Sequence, residues 1–240
     1  MYTLAIFDMA GTTVNDRDEV YRVLREATER EGARYSDAQF QEWMGTEKKW
    51  AIRNLLEIGG VDMTGELVEK AWAWFRAELR RTYTAQPPVA LDGVEQALSE
   101  LRDQGIKVGL TTGFSREIAD IILESMGWGE GINLDVSVTA DQVGKGRPEP
   151  DMIHRVMELT GTTDPSEVIS VGDTAADIRS AQAAGVTGVG VLTGHLTRDA
   201  FTELGADHIL TSAAEITGVI TGAIPAPVAT SPASTNPGEN

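Results

Sequence analysis

Short runs of β-branched and aliphatic residues recur at Leu4–Phe7, Ile106–Thr111, Val136–Thr139, Val168–Gly172, Gly188–Leu192 and His208–Leu210. Amphipathic stretches separate most of them, and this alternation predicts an α/β fold built on an open parallel sheet. Two helix starts are marked. Asp164-Pro165-Ser166-Glu167 combines a side-chain acceptor, a first-turn proline and an acidic third position. Phe114-Ser115-Arg116-Glu117 opens a stretch whose apolar positions Ile118, Ile121, Ile122 and Met126 share one side of a helix.

Between the first and second apolar runs the pattern changes. Residues 17–86 carry almost no period-two alternation and read as helical stretches over 17–31, 36–45, 46–60 and 65–85. That is far longer than an ordinary crossover between parallel strands, so it predicts an inserted all-helical cap. The core is then residues 1–16 and 87–221, with Pro87-Pro88 marking the return to the sheet. Residues 222–240 are rich in Pro, Ala, Ser and Thr without periodicity and are expected to be disordered. Trp43, Trp50, Trp72 and Trp74 all fall in the cap, where aromatics at helical spacing are expected to pack rather than to cage a ligand.

Charge and composition narrow the classes of function. A net charge of −17 would repel a phosphate backbone, which excludes nucleic acid as the expected partner, and it disfavours an anionic membrane surface as well. With no cysteine, disulfides, thiol nucleophiles and Cys-based metal sites are excluded. The apolar run Leu4–Phe7 is too short for a signal peptide or a span and has no basic region before it, so a cytoplasmic location is expected.

Ligands of open α/β sheets bind at the carboxyl ends of the strands, and four motifs sit at such ends. Asp8 ends the first strand and is followed by Gly11-Thr12-Thr13. Thr112-Gly113 ends another just before a helix N-terminus, a position suited to a phosphoryl oxygen. Lys145 and Arg147 lie in a loop before a helix, and Asp173 ends a strand with Asp177 one helical turn further on. The segment Gly188–Gly194 imitates a dinucleotide loop, but its glycine spacing is wrong.

Together and in this order, the four motifs resemble those of the haloacid dehalogenase superfamily of hydrolases over residues 1 to about 210. The resemblance implies a Rossmann-like core, dependence on Mg²⁺ and an aspartyl-enzyme intermediate on Asp8. Its metal candidates are the carboxylates of Asp8, Asp173 and Asp177 with the carbonyl of Ala10. Thr112, Gly113 and Arg147 would hold the phosphoryl group, with Lys145 able to share the role of Arg147. These groups favour a phosphoryl centre over the neutral carbon that a dehalogenase attacks.

Position 10 carries the sharpest information. Most phosphatases of this superfamily have a second aspartate there, which protonates the leaving group, and Ala10 cannot do so. Losing a general acid costs about 10²–10⁴ in rate unless the leaving group is activated otherwise. The pattern from Asp8 to Thr13 resembles the phosphonatases, the phosphonoacetaldehyde hydrolases and their relatives. That branch activates a carbon leaving group through a Schiff base on a cap lysine in a Met-Gly-x-x-Lys pattern. Met44-Gly45-Thr46-Glu47-Lys48 matches it and makes Lys48 the expected imine-forming residue. Gly45 is expected to break one helix and Thr46 to cap the next. The helix N-terminus and Lys49 should then make the Lys48 amine easier to deprotonate, with Glu47 opposing them.

Two positions depart from the branch: Ala51 stands where it has histidine, and Phe114 where it has tyrosine. The three histidines, His154, His195 and His208, fall in the core, and none obviously replaces the missing one. Expected substrates are therefore small phosphonates or phosphates, with cleavage of phosphonoacetaldehyde or a related carbonyl phosphonate as the leading reading. The alternatives are a phosphomonoesterase acting on a small metabolite and a non-catalytic phospho-metabolite sensor. Ala10 and Ala51 suggest the sensor, and Asp8 argues against it. Cap hinges are expected near residues 14–18 and 85–92. A homodimer through the cap and an internally packed cap would give the same sequence pattern.

Overall fold

The computed structural model describes residues 1–224. In chain order its strands are β1 (Leu4–Asp8), β2 (Val14–Asn15), β3 (Val89–Ala90), β4 (Lys107–Thr112), β5 (Val136–Thr139), β6 (Val168–Gly172), β7 (Thr187–Val191) and β8 (His208–Leu210). The α-helices are α1 (Glu19–Glu29), α2 (Asp37–Gln41), α3 (Lys48–Ile58), α4 (Gly65–Ala85), α5 (Val94–Asp103), α6 (Arg116–Met126), α7 (Asp151–Thr160), α8 (Ala175–Ala184), α9 (Arg198–Leu204) and α10 (Ile216–Ile220).

Six strands form a parallel sheet in the order β5-β4-β1-β6-β7-β8. All five residues of β1 are buried because helices cover both faces of the sheet, which is why the strand reads as an unbroken apolar run. Ala5 and Phe7 pack in the cluster that contains α5 and α6, while Leu4 and Ile6 join Met152, Ile153 and Val156 of α7 in the cluster on the other face. Strand order reverses around β1, so the crevice at its carboxyl end is the place where an open sheet of this type takes a ligand.

Helices α1 to α4 lie between β2 and β3. These two short strands pair antiparallel, Val14 with Ala90 and Asn15 with Val89, so the helical segment leaves and rejoins the sheet side by side. This ribbon has no counterpart in the sequence pattern, since two-residue strands carry no period. The side chain of Arg17 donates to the carbonyls of Gln86 and Pro87, tying the two connections together. Arg17 and Asp18 both adopt left-handed backbone angles, at φ 59° and 60°.

Two expectations change, and a third falls mostly outside the described residues. Asp164 does accept from the Ser166 amide, but Pro165–Glu167 is one 3₁₀ turn that runs straight into β6 rather than the start of an α-helix. Trp43, Trp72 and Trp74 pack against the core as expected, whereas Trp50 is 44% exposed. The C-terminal tail call falls mostly on residues 225–240, outside the described residues. Gly222 to Ile224 remain with the body, where the Ile224 amide donates to the Gly218 carbonyl. No helix among the described residues is long and apolar enough to cross a membrane.

Candidate active site

Asp8, the last residue of β1, lies in register with Thr111 of β4, and Asp173 directly follows β6, the other neighbour of β1. Neighbouring strands thus deliver two carboxylates to one edge. After Asp8 the chain turns sharply: the amides of Thr12, Thr13 and Val14 all donate to the Met9 carbonyl, and Gly11 takes φ 85°. Glycine is required there twice over, because a Cβ would be strained at that φ and would sit 2.5 Å from Oδ2 of Asp173. A Cβ at Gly194 would collide with Asp173 as well, so this carboxylate occupies a slot between two glycines. Thr12 donates to Asp173 Oδ1 at 2.9 Å.

Arg147 is the hub. Its Nη1 contacts Asp8 Oδ1 at 2.5 Å and Asp177 Oδ1 at 2.7 Å, and its Nη2 donates to Thr111 Oγ1 at 2.6 Å. The guanidinium is buried, and although burial works against its charge, Asp177 and Asp8 hold it fully protonated. Asp177 closes the first turn of α8, where its Oδ2 accepts from the amide and hydroxyl of Thr174. Both Asp177 oxygens therefore have protein partners. Lys145 is exposed in the same loop and, among the described residues, forms no ion pair with this cluster's carboxylates. Thr112 Oγ1 accepts from the Phe114 amide, so the threonine that touches Arg147 is the preceding one, Thr111, which sequence reasoning missed.

Lys48 enters from the helical insertion. It is 4% exposed, and its Nζ donates to the Thr46 carbonyl at 2.8 Å. The amine lies over Gly113, where a Cβ would stand 2.5 Å from the Thr46 oxygen and 3.1 Å from Nζ, so glycine lets the insertion seat on the end of β4. The local cap differs from expectation. Thr46 turns its hydroxyl back to the Trp43 carbonyl, and Glu47 caps α3 by accepting from the amides of Lys49 and Trp50. Lys48 is held down to about 8, chiefly by burial, with Asp8 opposing and Arg147 adding to the shift. Lys49 plays no part, since it pairs outward with Glu69. Ala51 is buried, and Phe114 places its ring 5.8 Å from the Lys48 amine. Among the histidines, His195 reaches the insertion, with Nε2 3.0 Å from Asp18 Oδ1.

Burial raises Asp8 to about 6 against the opposing pull of Arg147, and Asp177 adds to the rise. Asp173 is pushed well above the usual carboxylate range by burial, then by Asp8 and Asp177. Two buried carboxylates whose burial disfavours their charge, with Asp8 adding to the rise of Asp173, suit a hard cation. No group of three or more His, Cys, Asp or Glu side chains is gathered for a metal among the described residues, so a cation held by Asp8 and Asp173 would need donors other than these side chains. Ala10 fits that need, because its carbonyl accepts none of the main-chain hydrogen bonds that close the turn. The cluster is sealed beneath the insertion. Arg147 also borders a cavity of about 570 Å³ between Glu47, Lys49 and Trp50 on one side and residues 140–149 on the other.

An open parallel sheet that gathers carboxylates and a buried guanidinium at the carboxyl ends of its central strands, beneath a helical insertion, defines a hydrolase of the α/β class. The chain belongs to the haloacid dehalogenase-like hydrolases, whose family model matches residues 5–191. It is 32% identical over 205 residues to the phosphonoacetaldehyde hydrolase of Bacillus cereus (strain AH187), covering 79% of this chain and 75% of that one. A phosphonoacetaldehyde hydrolase-like protein from Oleispira antarctica superposes with a TM-score of 0.78 at 25% identity, over 92% of each chain. A hydrolase from Pseudomonas syringae shares the fold, with a TM-score of 0.81 at 23% identity over 92% of this chain and 98% of that one.

Proposed function

We propose that this hydrolase cleaves the carbon–phosphorus bond of phosphonoacetaldehyde or a closely related carbonyl phosphonate. One observation carries the reading: a buried, easily deprotonated amine, Lys48, lies beside the phosphoryl-binding edge where position 10 offers no acid. The relatives named for this substrate support it.

In this mechanism the Lys48 amine adds to the substrate aldehyde, and the carbonyl oxygen leaves as water to give a protonated imine. Asp8 attacks phosphorus, and the electron pair of the C–P bond passes into the imine, so the carbon group departs as an enamine. Protonation at carbon and hydrolysis then release acetaldehyde and restore Lys48. Water cleaves the aspartyl-phosphate to free phosphate and Asp8. Arg147, Thr112 and Gly113 hold the phosphoryl oxygens. Asp8, Asp173 and the Ala10 carbonyl would hold Mg²⁺, with Asp177 positioning Arg147 next to it; the ion supplies charge neutralisation at phosphorus. The helical insertion, residues 17–86, acts as a cap that excludes water while the imine exists.

The test is borohydride reduction in the presence of phosphonoacetaldehyde and Mg²⁺, with the adduct mapped by mass spectrometry. A reduced adduct on Lys48, absent in Lys48→Arg, together with phosphate release abolished by Asp8→Asn, is the expected result. An intact aldehyde with no adduct overturns the imine route, and Asp8-dependent release from phosphomonoesters would then make the protein a phosphomonoesterase.

A further inference from the structure

The chain has four tyrosines, and three have their hydroxyls engaged: Tyr2 with Thr187, Tyr35 with Thr28 and Tyr83 with Asp16. Tyr21 is the exception. It is buried in the first turn of α1, and its hydroxyl has no hydrogen-bond partner among the described residues. Among the described residues this hydroxyl is not one of the fully buried polar atoms left without a partner, so it reaches open space and is a donor that the protein itself leaves free.

Its surroundings say what it faces. The ring packs edge-on against Phe40, with centroids 6.4 Å apart, and against His195 at 5.9 Å. Lys48 Nζ lies 6.0 Å from the Tyr21 centroid and 5.8 Å from that of Phe114, so the amine sits between two aromatic rings. Phe114 is apolar to its edge, which leaves Tyr21 as the ring that carries a donor. The ring stands 6.0 Å from the Lys48 amine, and Asp173, Asp8, Asp16 and Asp177 are the charges that act on the phenol. Burial and those negative charges disfavour a phenolate, so the group keeps its proton across the physiological range.

We propose that Tyr21 donates a hydrogen bond to the carbonyl oxygen of the substrate while Lys48 adds to the carbonyl carbon, acting as a fixed donor and never as a base. The inference rests on the imine reading above. As the nitrogen lone pair forms the C–N bond, the π pair of the carbonyl moves to oxygen, and a donor beside it stabilises the growing charge. Tyr21 gives up no proton in this step. The oxygen later leaves as water with protons from the nitrogen and from solvent. Because Tyr21 and Lys48 both belong to the insertion, donor and nucleophile arrive over the substrate as one unit.

Tyr21→Phe keeps the ring and removes only the donor. The rate at which borohydride traps the Lys48 adduct is expected to fall by about 10²-fold, the usual cost of one such donor. The loss should appear in kcat with KM little changed. Asp8-dependent release of phosphate from acetyl phosphate needs no carbonyl addition and should stay within about twofold of wild type. If Phe at this position disturbs folding, fluorotyrosines at position 21 grade the donor, and trapping should quicken as the phenol becomes more acidic. Equal trapping rates in wild type and Tyr21→Phe would overturn the inference and leave the imine route standing. So would a parallel loss of acetyl phosphate hydrolysis, which would make the role structural. No adduct in the wild type would remove the imine reading and this inference with it.

Discussion

Asp8 and Lys48 are moved toward each other on the pH scale, the carboxyl up to about 6 and the amine down to about 8, and burial is the main cause of both shifts. The proposed reaction needs Asp8 ionised and Lys48 neutral, so both groups become competent as pH rises. Turnover of the aldehyde should climb through about pH 6 and again through about pH 8, with no fall between them. Asp8-dependent hydrolysis of acetyl phosphate should show only the lower step, and a pH–rate profile for each substrate checks this. Much of this candidate site is legible in the sequence. Asp8, Asp173 and Asp177 stand at strand ends or a helix start, where sequence spacing fixes position, Arg147 lies in the loop before α7, and the structure brings all four together. Tyr21 and Thr111 were not legible, because a buried tyrosine on an amphipathic helix and the penultimate threonine of a strand look like ordinary packing. The cap of α3 departs from expectation for a local reason. Thr46 and Glu47 are consecutive acceptors, and Thr46 is drawn back to the Trp43 carbonyl.

Among the elements, α4 contacts both the exit of the ribbon and α6. Tyr83 near its C-terminus donates to Asp16 at 2.7 Å, Asp16 also accepts from the Val20 amide, and all three lie where the chain leaves the ribbon. Further along the same helix, Arg76 and Arg80 both pair with Glu117 of α6. The Asp16 contact is buried and the Glu117 contacts are partly exposed, so their energies differ. Tyr83→Phe leaves a buried carboxylate short of one donor and should cost about 1–3 kcal/mol, which thermal unfolding would register as a fall of several degrees. Glu117→Ala should change stability little but raise kcat and KM together if cap opening limits turnover; steady-state kinetics separates the two effects. The four helical stretches of the insertion were readable from their period, with the second shrinking to the five residues of α2. The ribbon that anchors them was not readable, since its pairing is set by the sheet on one side and by Arg17 on the other.

For the whole molecule, the buried carboxylates predict a stability that depends on metal. With burial raising both Asp8 and Asp173, and Asp8 raising Asp173 further, Mg²⁺ bound to the folded state alone would add about 2.7 kcal/mol at a concentration one hundred times its Kd. A thermal melt should therefore rise with added Mg²⁺ in the wild type and stay flat in Asp173→Asn. The α/β class and the sheet were clear from the recurrence of apolar runs, because six buried parallel strands leave six such runs.

The two ends of the helical insertion leave the sheet as paired neighbours, Val14 beside Ala90. To the rest of the chain, the span from Asp16 to Pro88 is therefore equivalent to a tight hairpin loop: whatever it contains, the strand order on either side is undisturbed. On the proposed reading, the groups that bind the phosphoryl oxygens belong to the invariant frame, and Lys48 and Tyr21 belong to an exchangeable cassette. A new leaving-group chemistry could be acquired by replacing the cassette, without touching the residues that handle phosphorus.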